Sequence, residues 1–205
     1  NIFGGISKDA SQLVDHFTYV LASDGDLQEP VALGSASLAG HLGLSKLIVF
    51  YDANEAQISG HTNRSDSTDY KKVFEGFNWH VQEINGHSHD EIRYSIEKAQ
   101  KDGRPSIIIG NTVMAKGTAT MEGDHNTHGA PLDQEEINAS KKKLGLSVEK
   151  FHLPFEVKEY FQKRFSRLTK NVKFWNEKKM IYDEEGTPEV GNTSLENFFQ
   201  NVLSN

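Results

Sequence analysis

The sequence predicts an α/β protein: a parallel sheet with helices on both faces, followed by a helical C-terminal tail. Three observations carry this. Four apolar runs between residues 18 and 113 are separated by three helix-like segments, the order of a parallel sheet with crossover helices. Two of the runs, "KLIVFYD" and "PSIIIGNTV", are almost continuously apolar, as strands covered on both faces are. Beyond about residue 133 the alternation gives way to polar and amphipathic helical segments.

Taken in order, "TYVLAS" (18–23) reads as a buried strand. "PVALGSASLAGHLGL" (30–44) reads as a helix opened by Pro30, a residue tolerated in a first turn, and its Ala, Gly and Ser content allows close neighbours. "KLIVFYD" (46–52) is the second strand. "STDYKKVFEGF" (67–77) is a helix with Ser67 as its expected cap, and "WHVQEI" (79–84) alternates as a strand does. "SHDEIRYSIEKAQKDG" (88–103) places Ile92, Ile96 and Ala99 on one helical face, with Gly103 expected to end it. "PSIIIGNTV" (105–113) is the fourth strand. "LDQEEINASKKKLGL" is a polar helix, with Lys142 and its neighbours as a solvated face. "PFEVKEYFQKRFSRLTKN" is an amphipathic helix with Phe155, Val157, Tyr160, Phe161 and Phe165 on its apolar side, more often core than ligand site but also suited to meeting a partner chain. "YDEEGTPEVGNTS" has linker composition and "LENFFQNVLS" reads as a short last helix.

Bulk properties exclude several classes. The 205 residues carry a net charge of −7, against a broad nucleic-acid-binding face. No apolar run reaches the length of a membrane span. The absence of cysteine removes disulfides, thiolate metal sites and a cysteine nucleophile, and fits a reducing compartment. A cytoplasmic location is expected, with an organelle as the alternative.

The stretch "LASDGDLQEP" (21–30) crowds Asp24, Asp26 and Glu29 around Gly25 directly after a strand. In open parallel sheets ligands gather at the carboxyl ends of strands. Asp24 and Gly25 lie at one such end, Asp52 and Asn54 at the next, and "TVMAKG" at a third. Asp24 and Asn54 offer hard oxygens suited to Mg2+ or Ca2+, and Gly25 would let a phosphate approach the backbone. The competing reading is a set of solvated turn residues. Paired histidines in "GHSHDE" (86–91) and "DHNTH" (124–128) make a zinc site conceivable, but His87 and His89 read better as helix-capping or solvent-facing residues. Trp79 and Trp175 read as packing anchors.

The segment "DGDLQEP…ASLAGHLGLSKLIVFYDANEAQISG" closely resembles the thiamine-diphosphate motif of transketolases, written GDG with a downstream Asn. "NTHGAPL" (126–132) resembles a second signature of that family, and "VFEGFNWHVQEINGHSHDEI" fits the segment between them. The resemblance runs from about Asp15 to Arg164. It implies a thiamine-diphosphate-binding fold, with residues 1–150 as a partial diphosphate-binding domain and 151–205 as a helical extension and tail. It implies that Asp24, Asn54 and the backbone carbonyl of Ala56 hold the divalent ion and that Gly25 lies against the diphosphate. Ile58 and Met114 would flank the cofactor rings, and His128 would face the diphosphate or the substrate. Glu29 would lie at a subunit interface near the partner's cofactor, with His128 and Glu29 the catalytic candidates.

The sequence also departs from the family's pattern. The family places several active-site histidines and a GPLGQG turn ahead of the first strand, and a pyrimidine-binding domain elsewhere; neither is found here. Ser23 replaces the first Gly of GDG, with strain expected in the turn, and Pro30 stands where the family commonly has a Gly or a small acidic stretch. The expected function is two-carbon ketol transfer between sugar phosphates, as a fragment or one part of a split enzyme completed by a complementary transketolase chain or domain in a homo- or hetero-oligomer. The alternatives are a catalytically inactive homologue serving as an assembly or regulatory subunit, and a stand-alone binder of thiamine diphosphate or a nucleotide diphosphate.

Overall fold

The structure, a computed structural model, describes residues 16–57 and 60–184. The chain forms two compact units, one of which is Phe17–His152. In that unit β1 (Thr18–Ser23) leads through a short helix α1 (Asp24–Gln28) into α2 (Pro30–His41) and β2 (Leu47–Ala53). A small antiparallel pair, β3 (Ala56–Gln57) and β4 (Gly60–His61), follows. Then come α3 (Tyr70–Gly76), β5 (His80–Asn85), α4 (His89–Ala99), β6 (Ser106–Asn111) and α5 (Gln134–Lys143). The other unit contains α6 (Phe155–Glu184).

The four long strands form one parallel sheet in the order β1-β2-β6-β5. The chain thus leaves β2, makes the edge strand β5, and returns through α4 to insert β6 between them. Strand alternation divides the core in two. Val49, Tyr51, Ile107 and Ile109 face one way and pack with Ala36 and Ala39 of α2 and Phe74 of α3. Ile48 and Ile108 face the other way and pack with Ala99 of α4. Helices therefore cover both faces, as the apolar runs predict.

Trp79 anchors the first layer: its indole N–H donates to the Ala36 carbonyl at 2.8 Å and its ring meets Phe74 edge to face at 5.0 Å. Close approach is bought by glycine at one place. A Cβ on Gly40 of α2 would stand 1.8 Å from the Phe77 carbonyl oxygen.

Several expectations are corrected. β1 is an edge strand, not a buried one, and Leu21 is 84% exposed. Helix α3 begins at Tyr70 because Asp69, rather than Ser67, accepts the Lys72 N–H. Ser88 caps α4 through the Glu91 N–H, leaving His87 to accept the Val113 N–H at 2.8 Å. Helix α4 stops at Ala99, ahead of Gly103, and the Asp102 carboxylate then binds the Arg104 N–H and Nε to form a turn. Helix α6 runs 30 residues and takes in the start of the expected linker. Its apolar side, including Phe155, Tyr160, Phe161 and Phe165, is exposed rather than core. The last expected helix lies outside the described residues.

Candidate functional site

The sheet register aligns three strand ends. Ser23 pairs with Asp52, and Ala53 with Asn111, so the segments starting at Asp24, Asn54 and Thr112 all leave the same carboxyl edge. Thr112 ties two of these ends together, donating its N–H to the Ala53 carbonyl at 3.2 Å and its hydroxyl to Asp52 Oδ1.

Asp24 opens α1 and is only 3% exposed. Its Oδ1 accepts the Tyr51 hydroxyl at 2.6 Å, while Oδ2 is buried with no protein partner. Burial of a carboxylate oxygen without a donor is costly, and a cation is the natural partner. Burial, then the Asp24 carboxylate, raise the Tyr51 pKa beyond the ordinary phenol range, so Tyr51 stays a donor. The same two causes in Tyr70, with Asp66 as its carboxylate, raise that phenol too. Asp24, Tyr51, Glu55, Thr62, Asp66 and Tyr70 line a cavity of about 290 Å³.

Asn54 stands just past β2. Its Nδ2 donates to Asp52 Oδ2 at 3.1 Å, which fixes the amide, and its Oδ1 accepts the Ala56 N–H at 3.0 Å. The next residue, Glu55, has φ of 58°, and Ala115, which follows Met114, has φ of 53°. Two non-glycine residues in the left-handed region thus follow two candidate site residues. Such strain concentrates where surrounding structure fixes a functional loop.

Ala56 is buried on β3, which contacts α1; Gln28 Nε2 donates to Gln57 Oε1 at 3.3 Å. Asp24 and Ala56 therefore belong to neighbouring elements. A Cβ on Gly25 would meet nothing within 4 Å, so the approach to that backbone is open. The longer helix α2 starts only at Pro30, so its amino end is one short helix removed from Gly25 rather than directly after it.

His128 follows the 3-10 turn His125–Thr127, and its Nδ1 is buried without a partner. That turn reaches β4, where the His61 and His125 rings lie 5.3 Å apart. Met114 is half-buried and its carbonyl accepts the Gly123 N–H at 2.8 Å. Glu29 is exposed at the junction of α1 and α2. Ile58 lies outside the described residues.

Two residues, Tyr51 and Glu136, escaped the sequence, and Asp26 is the turn residue it reads as. Asp26 accepts both the N–H and the hydroxyl of Ser23, at 2.8 and 2.7 Å, and these bonds hold its carboxyl below the ordinary range. Ser23 itself is extended, with φ of −118°, so replacing the glycine brings no strain. Tyr51 reads only as strand in the sequence. Glu136 of α5 is buried and accepts the Thr120 N–H and hydroxyl, both at 2.8 Å, clamping the loop that follows Met114. No sequence signal separates Glu136 from its acidic neighbours.

Asp24, Asn54 and the Ala56 carbonyl fit a hard divalent ion by donor chemistry. Among the described residues, no three His, Asp or Glu side chains form a metal cluster by themselves. Among them, too, no helix is long and apolar enough to cross a membrane.

The family model "Transketolase, thiamine diphosphate binding domain" matches residues 1–200. Transketolase 2 of Vibrio parahaemolyticus is 41% identical over 90% of this chain and 28% of its own length. The crystal structure of transketolase from Campylobacter jejuni shares 34% identity and superposes with a TM-score of 0.83, covering 92% of this chain and 30% of that one. A transketolase from Pichia stipitis in complex with sedoheptulose 7-phosphate is 32% identical with a TM-score of 0.80, covering 87% of this chain and 27% of that one. The chain thus spans under a third of the length of these relatives. It belongs to the transketolase family, in the region of the thiamine diphosphate-binding domain.

Proposed function

We propose that this chain supplies the diphosphate anchor of a transketolase-type enzyme that moves a two-carbon ketol unit between sugar phosphates. The complementary segments would come from further polypeptide or another subunit. Residues 1–150 would be the partial diphosphate-binding domain and 151–205 its helical extension. The observation that carries the reading is the buried, half-partnered carboxylate of Asp24 beside the open backbone of Gly25 at the carboxyl edge of the sheet.

In this reading Asp24, Asn54 and the Ala56 carbonyl hold Mg2+ or Ca2+, and the ion and Gly25 receive the diphosphate. Ile58 and Met114 flank the cofactor rings. His128, with a buried ring nitrogen free of protein partners, faces the diphosphate or moves a hydroxyl proton of the sugar. Glu29, exposed beside α2, meets another subunit near its cofactor. Bound thiamine diphosphate supplies the chemistry that cleaves and forms the carbon–carbon bond next to a carbonyl. The Pichia relative's sugar-phosphate complex supports the substrate class.

The test is calorimetric titration of the purified chain with thiamine diphosphate, with and without Mg2+. Saturable binding that needs Mg2+ is expected. Absence of binding at millimolar ligand would leave the assembly or regulatory subunit as the better reading.

A further inference from the structure

We propose that Tyr51 is a positioning residue for the metal anchor: its hydroxyl ties one oxygen of Asp24 and so presents the other to the ion. The inference rests on the reading of Asp24 as an ion ligand, and goes beyond it by naming what sets the ligand's orientation.

The geometry runs outward from Asp24. A lone carboxylate on a five-residue helix has two rotatable bonds, and either oxygen could face the ion. Here Oδ1 is occupied by the Tyr51 hydroxyl at 2.6 Å, and Oδ2 is the buried oxygen left without a partner. The hydrogen bond has a charged acceptor, which makes it both strong and directional. Tyr51 sits in β2 at the centre of the sheet, with its backbone paired to β1 and β6. Its ring is also fixed: Tyr70 meets it edge to face at 5.7 Å, and Tyr70 is held by its own hydroxyl bond to Asp66 Oδ2 at 2.6 Å. Asp66 in turn accepts the Thr68 N–H at 2.9 Å. The orientation of Asp24 is therefore set by a rigid strand rather than by the short helix α1 that carries it. An aromatic residue without a hydroxyl would fill the same space but leave the carboxylate free to turn.

The test uses Mn2+ as the probe, with the full chain in saturating thiamine diphosphate. Free Mn2+ is read by electron paramagnetic resonance, and the near-ultraviolet tyrosine difference spectrum is recorded at fixed pH. Wild type, Tyr51→Phe, Tyr70→Phe and Asp24→Ala are compared after matched near-ultraviolet circular dichroism. The expected result is Mn2+ binding about tenfold weaker in Tyr51→Phe, the scale of one hydrogen bond to a charged group. The tyrosine difference signal produced by Mn2+ in wild type should be lost in Tyr51→Phe. Tyr70→Phe, which keeps the ring against Tyr51 and loses only the bond to Asp66, should keep the signal and weaken binding less than Tyr51→Phe. Unchanged affinity in Tyr51→Phe, with binding abolished in Asp24→Ala, overturns the positioning role while the anchor stands. Equal weakening in Tyr51→Phe and Tyr70→Phe overturns it in favour of general loosening of the 62–70 loop. Binding that survives Asp24→Ala, or is absent in wild type, removes the anchor itself.

Discussion

Replacing Gly40 by Ala tests how α2 is seated. In a solvated helix that change stabilises by about 1 kcal/mol, because alanine loses less backbone freedom on folding. Here the new Cβ would lie 1.8 Å from the Phe77 carbonyl oxygen and 3.2 Å from Trp79 Cδ1. The first distance is roughly half a normal contact, and the atom it meets is backbone, so α2 must move away. That movement stretches the Trp79–Ala36 hydrogen bond of 2.8 Å, which is buried. Overpacking costs about 1–3 kcal/mol and an impaired buried hydrogen bond about 1–3 kcal/mol. Against the helix gain, the net expectation is a loss of about 1–5 kcal/mol. Gly34, six residues earlier on the same helix, is exposed, and a Cβ there meets nothing within 4 Å. Gly34→Ala should therefore stabilise by about 0.5–1 kcal/mol. Denaturant unfolding followed by tryptophan fluorescence measures both. A Gly40→Ala protein as stable as wild type, with an unchanged slope, would refute the close packing of α2 on the turn before β5.

Asp24→Ala or Asn54→Ala should abolish Mg2+-dependent binding of thiamine diphosphate while leaving far-ultraviolet circular dichroism intact, as calorimetry can check. Glu136→Ala removes the acceptor for both Thr120 groups, so the loop after Met114 should lose hydrogen-exchange protection while β6 keeps its own. Hydrogen bonding from the Arg104 side chain lowers the Asp102 pKa from 3.8 to about 2. A depressed carboxylate stabilises above its unfolded value, and that stability is lost as pH falls through the folded one. Wild type should therefore lose more stability than Asp102→Asn between about pH 4 and pH 2, measured as acid unfolding midpoints. Trp79→Phe removes the indole N–H bond to the Ala36 carbonyl and should cost about 1–3 kcal/mol in denaturant unfolding followed by far-ultraviolet circular dichroism.

The local sequence was enough for the four long strands, for the longer helices and for the edge at which the site forms, but not for the short helix α1 or the β3–β4 pair. Continuous apolar runs specify strands covered on both faces, and the polar residues placed straight after them, Asp24, Asn54 and Thr112, mark where those strands stop. The short-range pattern also fixed Pro30 at the start of α2, but not Ser88 as the cap of α4, a role the sequence offered to His87 and His89. Strand order was decided by tertiary packing, because no local signal tells β6 to insert between β2 and β5. The exposure of β1 followed from that order: an apolar run looks the same at an edge as in a centre. The cap of α3 depended on which of several adjacent polar residues could reach an N–H. Within the site the sequence supplied the donors, and the fold determined their orientation. Tyr51, Asp52 and Glu136 act across distances of two to sixty residues on Asp24, Asn54, Thr112 and Thr120. Such bonds exist only once the strands are registered, since a side chain's partner is set by where the sheet brings its neighbours and not by spacing along the chain.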